Sequence, residues 1–228
     1  MRRIIKGPEP EALRSWKVEN AEVPQNLTYE NMPKPAVKAQ MLVEQGYLCA
    51  YTMQRIQSAD ECHIEHIVPQ SQALQSHAPH LNIDYNNLLA CIPSDTPGHR
   101  PSISNFPYGA TKKGGSHVDE DTFVSPLHEA VETRFRYLPD GSVEPAVGDE
   151  AAAGTITILA LNHNQLIELR QAAIEEGVLD RDTALSADEA EALSQAIMTA
   201  DPAGRLPEFC LAISQVAAGY ADKRRAAN

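Results

Sequence analysis

The segment Cys62-His63-Ile64-Glu65-His66-Ile67-Val68-Pro69, with Tyr85-Asn86-Asn87-Leu88-Leu89-Ala90-Cys91 downstream of it, organises the reading of the whole chain. Cys62 to Val68 alternates weakly. It ends at Pro69, which closes a strand because the residue before proline is held extended and proline has no N–H for a ladder. Asp84 to Cys91 is a second ordered segment. Glu65 beside His66 places a carboxylate next to an imidazole at the strand end. Phosphodiester hydrolysis needs these residue types. A histidine near neutral pKa can deprotonate water, and a carboxylate can hold Mg²⁺ or Mn²⁺, which stabilises the developing charge and the leaving oxygen. His63 shares a strand face with Glu65 and is a further candidate ligand or phosphate contact. Asn87 either ties the intervening loop together or orients the histidine through its amide.

Outward from this core, Pro8-Glu9-Pro10 reads as a turn feeding a short helix with Trp16 as its anchor. Met32-Pro33-Lys34-Pro35 breaks any longer element. Ala36 to Gln45 has helical apolar spacing and stops at Gly46. Gly46 to Thr52 is an apolar extended segment and turn. Ser71 to His80 reads as a short helix or loop. Residues 92–109, rich in proline, glycine and serine, form a long loop of the kind that a function or a metal orders. Thr111-Lys112-Lys113-Gly114 is the tight basic patch of this region. Either lysine, at a helix start, suits a non-scissile phosphate oxygen. Further on, Arg134 to Val143 reads as a hairpin turning at Asp140-Gly141. Gln165 to Gly177 has an apolar helical face. Ser186 to Glu189 is a capping box for a helix over 190–199, and Pro207 to Tyr220 is a last helix.

The 228 residues carry a formal net charge of -12. Residues 1–136 hold 13 basic against 16 acidic residues, and residues 137–228 hold 6 against 15. Such a chain repels a phosphate backbone, which argues against a free-standing, high-affinity DNA binder and for a partner protein that brings the substrate. The later, acidic part is the expected docking surface. No apolar run reaches the length of a membrane span or a signal peptide. Four cysteines in a chain of this length do not make a disulfide scaffold, so a cytoplasmic protein is expected. His-Glu-x-x-His is absent, which leaves a zinc peptidase without support.

His66, Asn87 and the downstream Lys112-Lys113-Gly114 resemble the HNH, or ββα-metal, nuclease family. The resemblance runs on through Met1-Arg2-Arg3-Ile4, Glu44-Gln45-Gly46-Tyr47-Leu48-Cys49-Ala50-Tyr51, Ile64-Glu65-His66-Ile67-Val68-Pro69-Gln70-Ser71 and Asn87-Leu88-Leu89-Ala90-Cys91. It continues in Ser125-Pro126-Leu127, Arg134-Phe135, Asp140-Gly141 and Leu161-Asn162-His163-Asn164 with Leu169-Arg170. These pieces, within residues 1–175, are similar to the branch that includes retron-associated HNH proteins and PtuB, the nuclease subunit of the Septu antiphage system.

The resemblance implies an α+β fold, with a small ββα-metal (HNH) core over residues 47–122. A helical region over 1–46 precedes it, and a mostly helical region with a short hairpin over 123–228 follows. It implies a metal-dependent DNA endonuclease with His66 as general base, Glu65 as metal ligand and Asn87 shaping the site. It also implies a defence role with a partner ATPase, and leaves self-association open. Relatives carry Cys-x-x-Cys where this chain has Cys49-Ala50-Tyr51-Thr52, and a second cysteine pair of which Cys91 alone remains. A structural Zn²⁺ is therefore not expected, since it needs four good ligands. The third ligand of the catalytic ion, with His63 and Glu65, is Asn105, His99, His117 or Asp119. The alternative function is a catalytically inactive HNH-like module that binds a partner or senses DNA.

Overall fold

Two antiparallel strands, β1 (His63–His66) and β2 (Leu88–Cys91), sit among helices in the computed structural model, which describes residues 1–98, 105–179 and 184–227. The register sets His63 opposite Cys91, Glu65 opposite Leu89 and His66 opposite Leu88. All four residues of β2 are buried, which explains its unbroken apolar run. A buried strand still has backbone groups to satisfy. The Gln45 side chain meets two of them, accepting from the Ala90 N–H at 2.8 Å and donating to the Ala90 carbonyl at 2.8 Å. Lys6 Nζ takes the Leu88 carbonyl at 3.0 Å.

Helix α1 (Glu11–Glu19) and helix α2 (Lys34–Glu44) precede the strands. Helix α2 begins ahead of the start expected at Ala36, because Pro35 falls in the first turn, where no amide hydrogen is needed. It buries Val37, Lys38, Met41 and Leu42. Helix α3 (Gln70–Gln75) follows Pro69, and the one-turn helix α4 (Ala110–Lys113) lies between Gly109 and Gly114. Lys112 and Lys113 therefore end a helix rather than start one. The two flanking glycines have φ of 65° and 50°, so the turn is bounded on both sides.

Strands β3 (Phe135–Tyr137) and β4 (Val143–Pro145) form the hairpin around Asp140-Gly141. Asp140 Oδ1 accepts from the Ser142 N–H at 2.9 Å and from its hydroxyl at 2.6 Å. Helix α5 (Glu150–Ile158) follows, capped by Asp149, whose Oδ1 accepts from Ala152 N–H at 2.9 Å. The β-branched Thr155-Ile156-Thr157-Ile158 is helical here against its propensity. A tertiary bond helps hold it, since the buried Thr155 hydroxyl, which donates within the helix to Ala151 O at 2.8 Å, accepts from Val124 N–H at 2.7 Å. Helix α6 (Asn164–Ile174) runs into a π-helical turn over Glu175–Leu179. Helix α7 (Ala187–Ala196) starts at the Ser186–Glu189 capping box and packs on α8 (Cys210–Ala226).

The architecture is thus mixed α+β, with helical N- and C-terminal regions around small β elements. Buried side chains from Met1 to Ala221 join one apolar cluster. Among the described residues no helix is long and apolar enough to cross a membrane.

Arg170 fastens the second hairpin to the C-terminal helices. Its guanidinium is buried and donates to Gly141 O at 2.7 Å and Leu161 O at 2.6 Å. Gly141 has φ of 80°, and a Cβ there would lie 2.3 Å from Ile167 O. Gly141→Ala should therefore cost about 2 kcal/mol or more from strain and backbone displacement, read as a lower urea midpoint with an unchanged m-value.

Candidate active site

The strand pleat sends His63 and Glu65 to one face of β1 and Ile64 and His66 to the other. On the first face, Glu65 is the centre of a small polar cluster. Lys113, whose side chain is 1% exposed, donates from Nζ to Glu65 Oε1 at 2.8 Å and to the His66 carbonyl at 2.8 Å. The other carboxylate oxygen, Oε2, lies 3.6 Å from His63 Nε2. His63 Nδ1 is 2.6 Å from Pro93 O. A carbonyl only accepts, so Nδ1 carries the hydrogen. In the neutral ring, Nε2 then points a lone pair at Glu65 Oε2.

Two facing lone pairs need a proton or a cation between them. Without a cation, the proton fills the gap. Burial alone would lower the His63 imidazole, but the Glu65 carboxylate and the Pro93 carbonyl outweigh it and hold it above its ordinary value. Burial would likewise raise the Glu65 carboxyl. His63 and Lys113 reverse this and keep it below 4.5. An oxygen and an imidazole nitrogen converging in this way suit Mn²⁺ or a largely hydrated Mg²⁺, which keeps several waters as ligands. Glu65 Oε2 and His63 Nε2 would hold the ion, since Lys113 occupies Oε1. Among the described residues no group of three or more His, Cys, Asp and Glu side chains converges.

On the other face, His66 Nε2 lies 3.0 Å from the Asn82 carbonyl. The same argument puts its hydrogen on Nε2 and leaves Nδ1 as the proton acceptor. His66 is 7% exposed, and Tyr29 stands edge-on to its ring with centroids 4.9 Å apart. Burial lowers the His66 pKa, opposed by the Asn82 bond and the Glu65 charge.

Asn87 ties the loop that presents His66. Its Oδ1 accepts from Val68 N–H at 2.8 Å, and its Nδ2 donates to Val68 O at 3.0 Å and Leu81 O at 2.9 Å. Of the two roles open to it from the sequence, this is the loop tie. The amide has no bond to the imidazole. Asn87→Ala would strand the Val68 N–H and two carbonyls in a buried site. A loss of about 2–3 kcal/mol is expected in urea unfolding, with the His66 imidazole resonances displaced.

Lys112 is exposed, so of the lysine pair it alone has a free ammonium; Lys113 is committed to Glu65 and His66. Asn105 is exposed. His117 and Asp119 are exposed and pair with each other at 3.8 Å. His99 lies outside the described residues.

Cys49 and Cys91 sit side by side, with the Thr52 hydroxyl on Cys49. Burial pushes the Cys49 thiol up, but hydrogen bonds from Cys91 and Thr52 bring it to about 6. Gly109 backs onto Thr52, since a Cβ there would lie 3.0 Å from its methyl. A surface groove between Arg55 and Pro207 shares no residue with this site.

Two features of the site had no signal in the sequence: the burial of Lys113 against Glu65 and the cover of Tyr29 over His66. No family model matches the chain, and a search of curated proteins finds no match.

Proposed function

We propose that the chain is an HNH-type, metal-dependent DNA endonuclease in which β1, β2 and α4 form the ββα-metal core. His66 is the general base, Glu65 and His63 hold Mg²⁺ or Mn²⁺, Asn87 shapes the loop, and Lys112 contacts a phosphate. The observation that carries this reading is the pinned tautomer of His66. Its Nε2–H is held by the Asn82 carbonyl at 3.0 Å, so Nδ1 is set to take a proton from water. One residue away, a carboxylate and an imidazole face each other as ligands do. A divalent ion there would stabilise charge on the scissile phosphate and the leaving oxygen.

The acidity of residues 137–228 supports delivery of DNA by a partner, and the resemblance to defence nucleases makes that partner an ATPase. The test is nicking of supercoiled plasmid with Mg²⁺ or Mn²⁺, with and without that ATPase. Native protein should cut and His66→Ala should not. Equal cutting by the two would remove His66 from the chemistry.

A second reading, a catalytically inactive module that binds a partner or senses DNA, is favoured by two features of the same site. His66 lies buried under Tyr29, and Glu65 already has a cation in Lys113. Failure of Mg²⁺ and Mn²⁺ to bind would select it.

A further inference from the structure

Most lysines near the β1–β2 pair already have partners. Lys6 donates to Leu88 O at 3.0 Å and pairs with Glu44 at 3.3 Å. Lys38 is buried and donates to Cys62 O and Asp95 Oδ1, each at 2.6 Å. Lys113 is held by Glu65 and the His66 carbonyl. Lys34, one turn before Lys38 in α2, is half-buried and has no carboxylate or carbonyl partner among the described residues. Its ammonium lies instead over the Tyr29 ring, 4.2 Å from the centroid. A ring face orients a cation without neutralising it. The first turn of α2 holds no acidic residue either. In a chain of net charge -12, this lysine keeps a positive charge that nothing nearby in its own helix turn offsets.

We propose that Lys34 is the phosphate contact beside the general base: its ammonium, seated on the Tyr29 ring that abuts His66, holds a backbone phosphate next to the scissile one. This rests on the nuclease reading given above. Distances tie the lysine to the chemistry. The Tyr29 centroid is 4.9 Å from that of His66 and 4.2 Å from the ammonium, so Lys34 Nζ lies within about 9 Å of the imidazole at any angle between them. Each DNA strand carries one charge per ~3.4 Å of helix axis, so that reach takes in the neighbours of the phosphate that His66 serves. An ammonium suits a phosphate oxygen as a compact point charge. Burial pushes the Tyr29 phenol up to about 12, so the seat is neutral and adds no charge to repel DNA. An acidic chain must hold DNA through local contacts, and a cation oriented in advance loses less freedom when it binds.

The experiment uses the full chain and a short fluorescent DNA duplex, with and without the partner ATPase. Anisotropy across a potassium chloride series gives affinity and its salt slope for His66→Ala, which leaves the duplex uncut, alone and combined with Lys34→Gln or Lys34→Arg. Plasmid nicking gives kcat and KM for the single lysine variants, and urea unfolding gives their stability. Lys34→Gln should weaken binding about 5- to 10-fold, lower the salt slope by about one and raise KM with kcat unchanged. Lys34→Arg should restore all three, and both variants should unfold at the native urea midpoint. Native affinity, slope and KM in Lys34→Gln, or a lowered midpoint with a native slope, would overturn the inference. Cutting by native protein that His66→Ala abolishes would then leave the nuclease standing. Weaker and less salt-dependent binding by Lys34→Gln, with no cutting by native protein, would keep the phosphate contact and remove the nuclease. Neither binding nor cutting by the chain would remove both.

Discussion

Lys113→Met is expected to destabilise the protein by about 3–5 kcal/mol, the range for removing one partner of a buried ion pair. The magnitude follows from what remains behind. The Lys113 side chain is 1% exposed and that of Glu65 is 12% exposed, so neither is rescued by solvent. Methionine keeps much of the aliphatic stem but removes the ammonium. This leaves Glu65 Oε1 and the His66 carbonyl without donors, and His63 as the nearest cation for the carboxylate.

Adding Glu65→Gln should recover part of the loss, because a neutral amide tolerates burial better than an unpaired carboxylate. The pH dependence has a definite sign. His63 and Lys113 hold the Glu65 carboxyl below its ordinary 4.5. The stabilisation it contributes is therefore complete above that pH and is lost as pH falls through the lower native value. Lys113→Met should flatten this acid limb. Urea unfolding of the single and double variants across that range checks both statements. A loss below about 1 kcal/mol would mean that the pair behaves as a solvated surface contact.

His66→Ala carries the largest kinetic expectation, a fall in DNA cleavage of about 10²- to 10⁴-fold, the usual share of a positioned general base. The substitution removes the acceptor at Nδ1 but leaves Glu65, Lys113 and Asn87 in place. Circular dichroism should therefore remain native while cleavage is lost. The rate should also report the protonation of this ring. Burial lowers the His66 pKa below 6.5, and the neutral ring is the active form. Cleavage should be flat through neutral pH and fall only below pH 6.5, on the acid side. An acid limb centred above 6.5 would assign the base to another group, His63 being the first candidate because its pKa is shifted the other way. Because Tyr29 covers the ring, chemical modification of His66 by diethyl pyrocarbonate should be slow in native protein and faster in Tyr29→Ala.

What could be read directly from the chain was what neighbouring residues decide among themselves. Asp140-Gly141 turns the second hairpin and Ser186 with Glu189 caps α7, whereas β1 already stops at His66 and Pro69 instead precedes the first residue of α3. The turn and the cap are each a backbone preference, or a hydrogen bond between residues a few positions apart, so a short window contains all the atoms involved. The pairing of His63 and Glu65 on one strand face is of the same kind, since alternation alone requires it. Helix α5 was not legible in this way. Its β-branched run favours extended geometry, and bonds outside the helix, such as that from Val124 N–H to Thr155, help hold it.

Asn87 marks the boundary between the two kinds of information. Its type and place suggest a loop tie or a histidine partner, and only the fold chooses the tie, by bringing Val68 and Leu81 to its amide. Lys113 lies beyond that boundary. In sequence it is half of a basic pair beside a glycine, which reads as a solvated contact for phosphate. In the structure a single turn of helix carries it 48 residues back along the chain onto Glu65, while Lys112 stays in solvent. The sequence by itself thus determined the residue types of the site and the strand face that Glu65 shares with His63. Tertiary structure alone decided which groups are buried together: Lys113 on Glu65 and Tyr29 over His66. Burial and long-range approach depend on the packing of the whole core, and no short stretch of chain contains that packing.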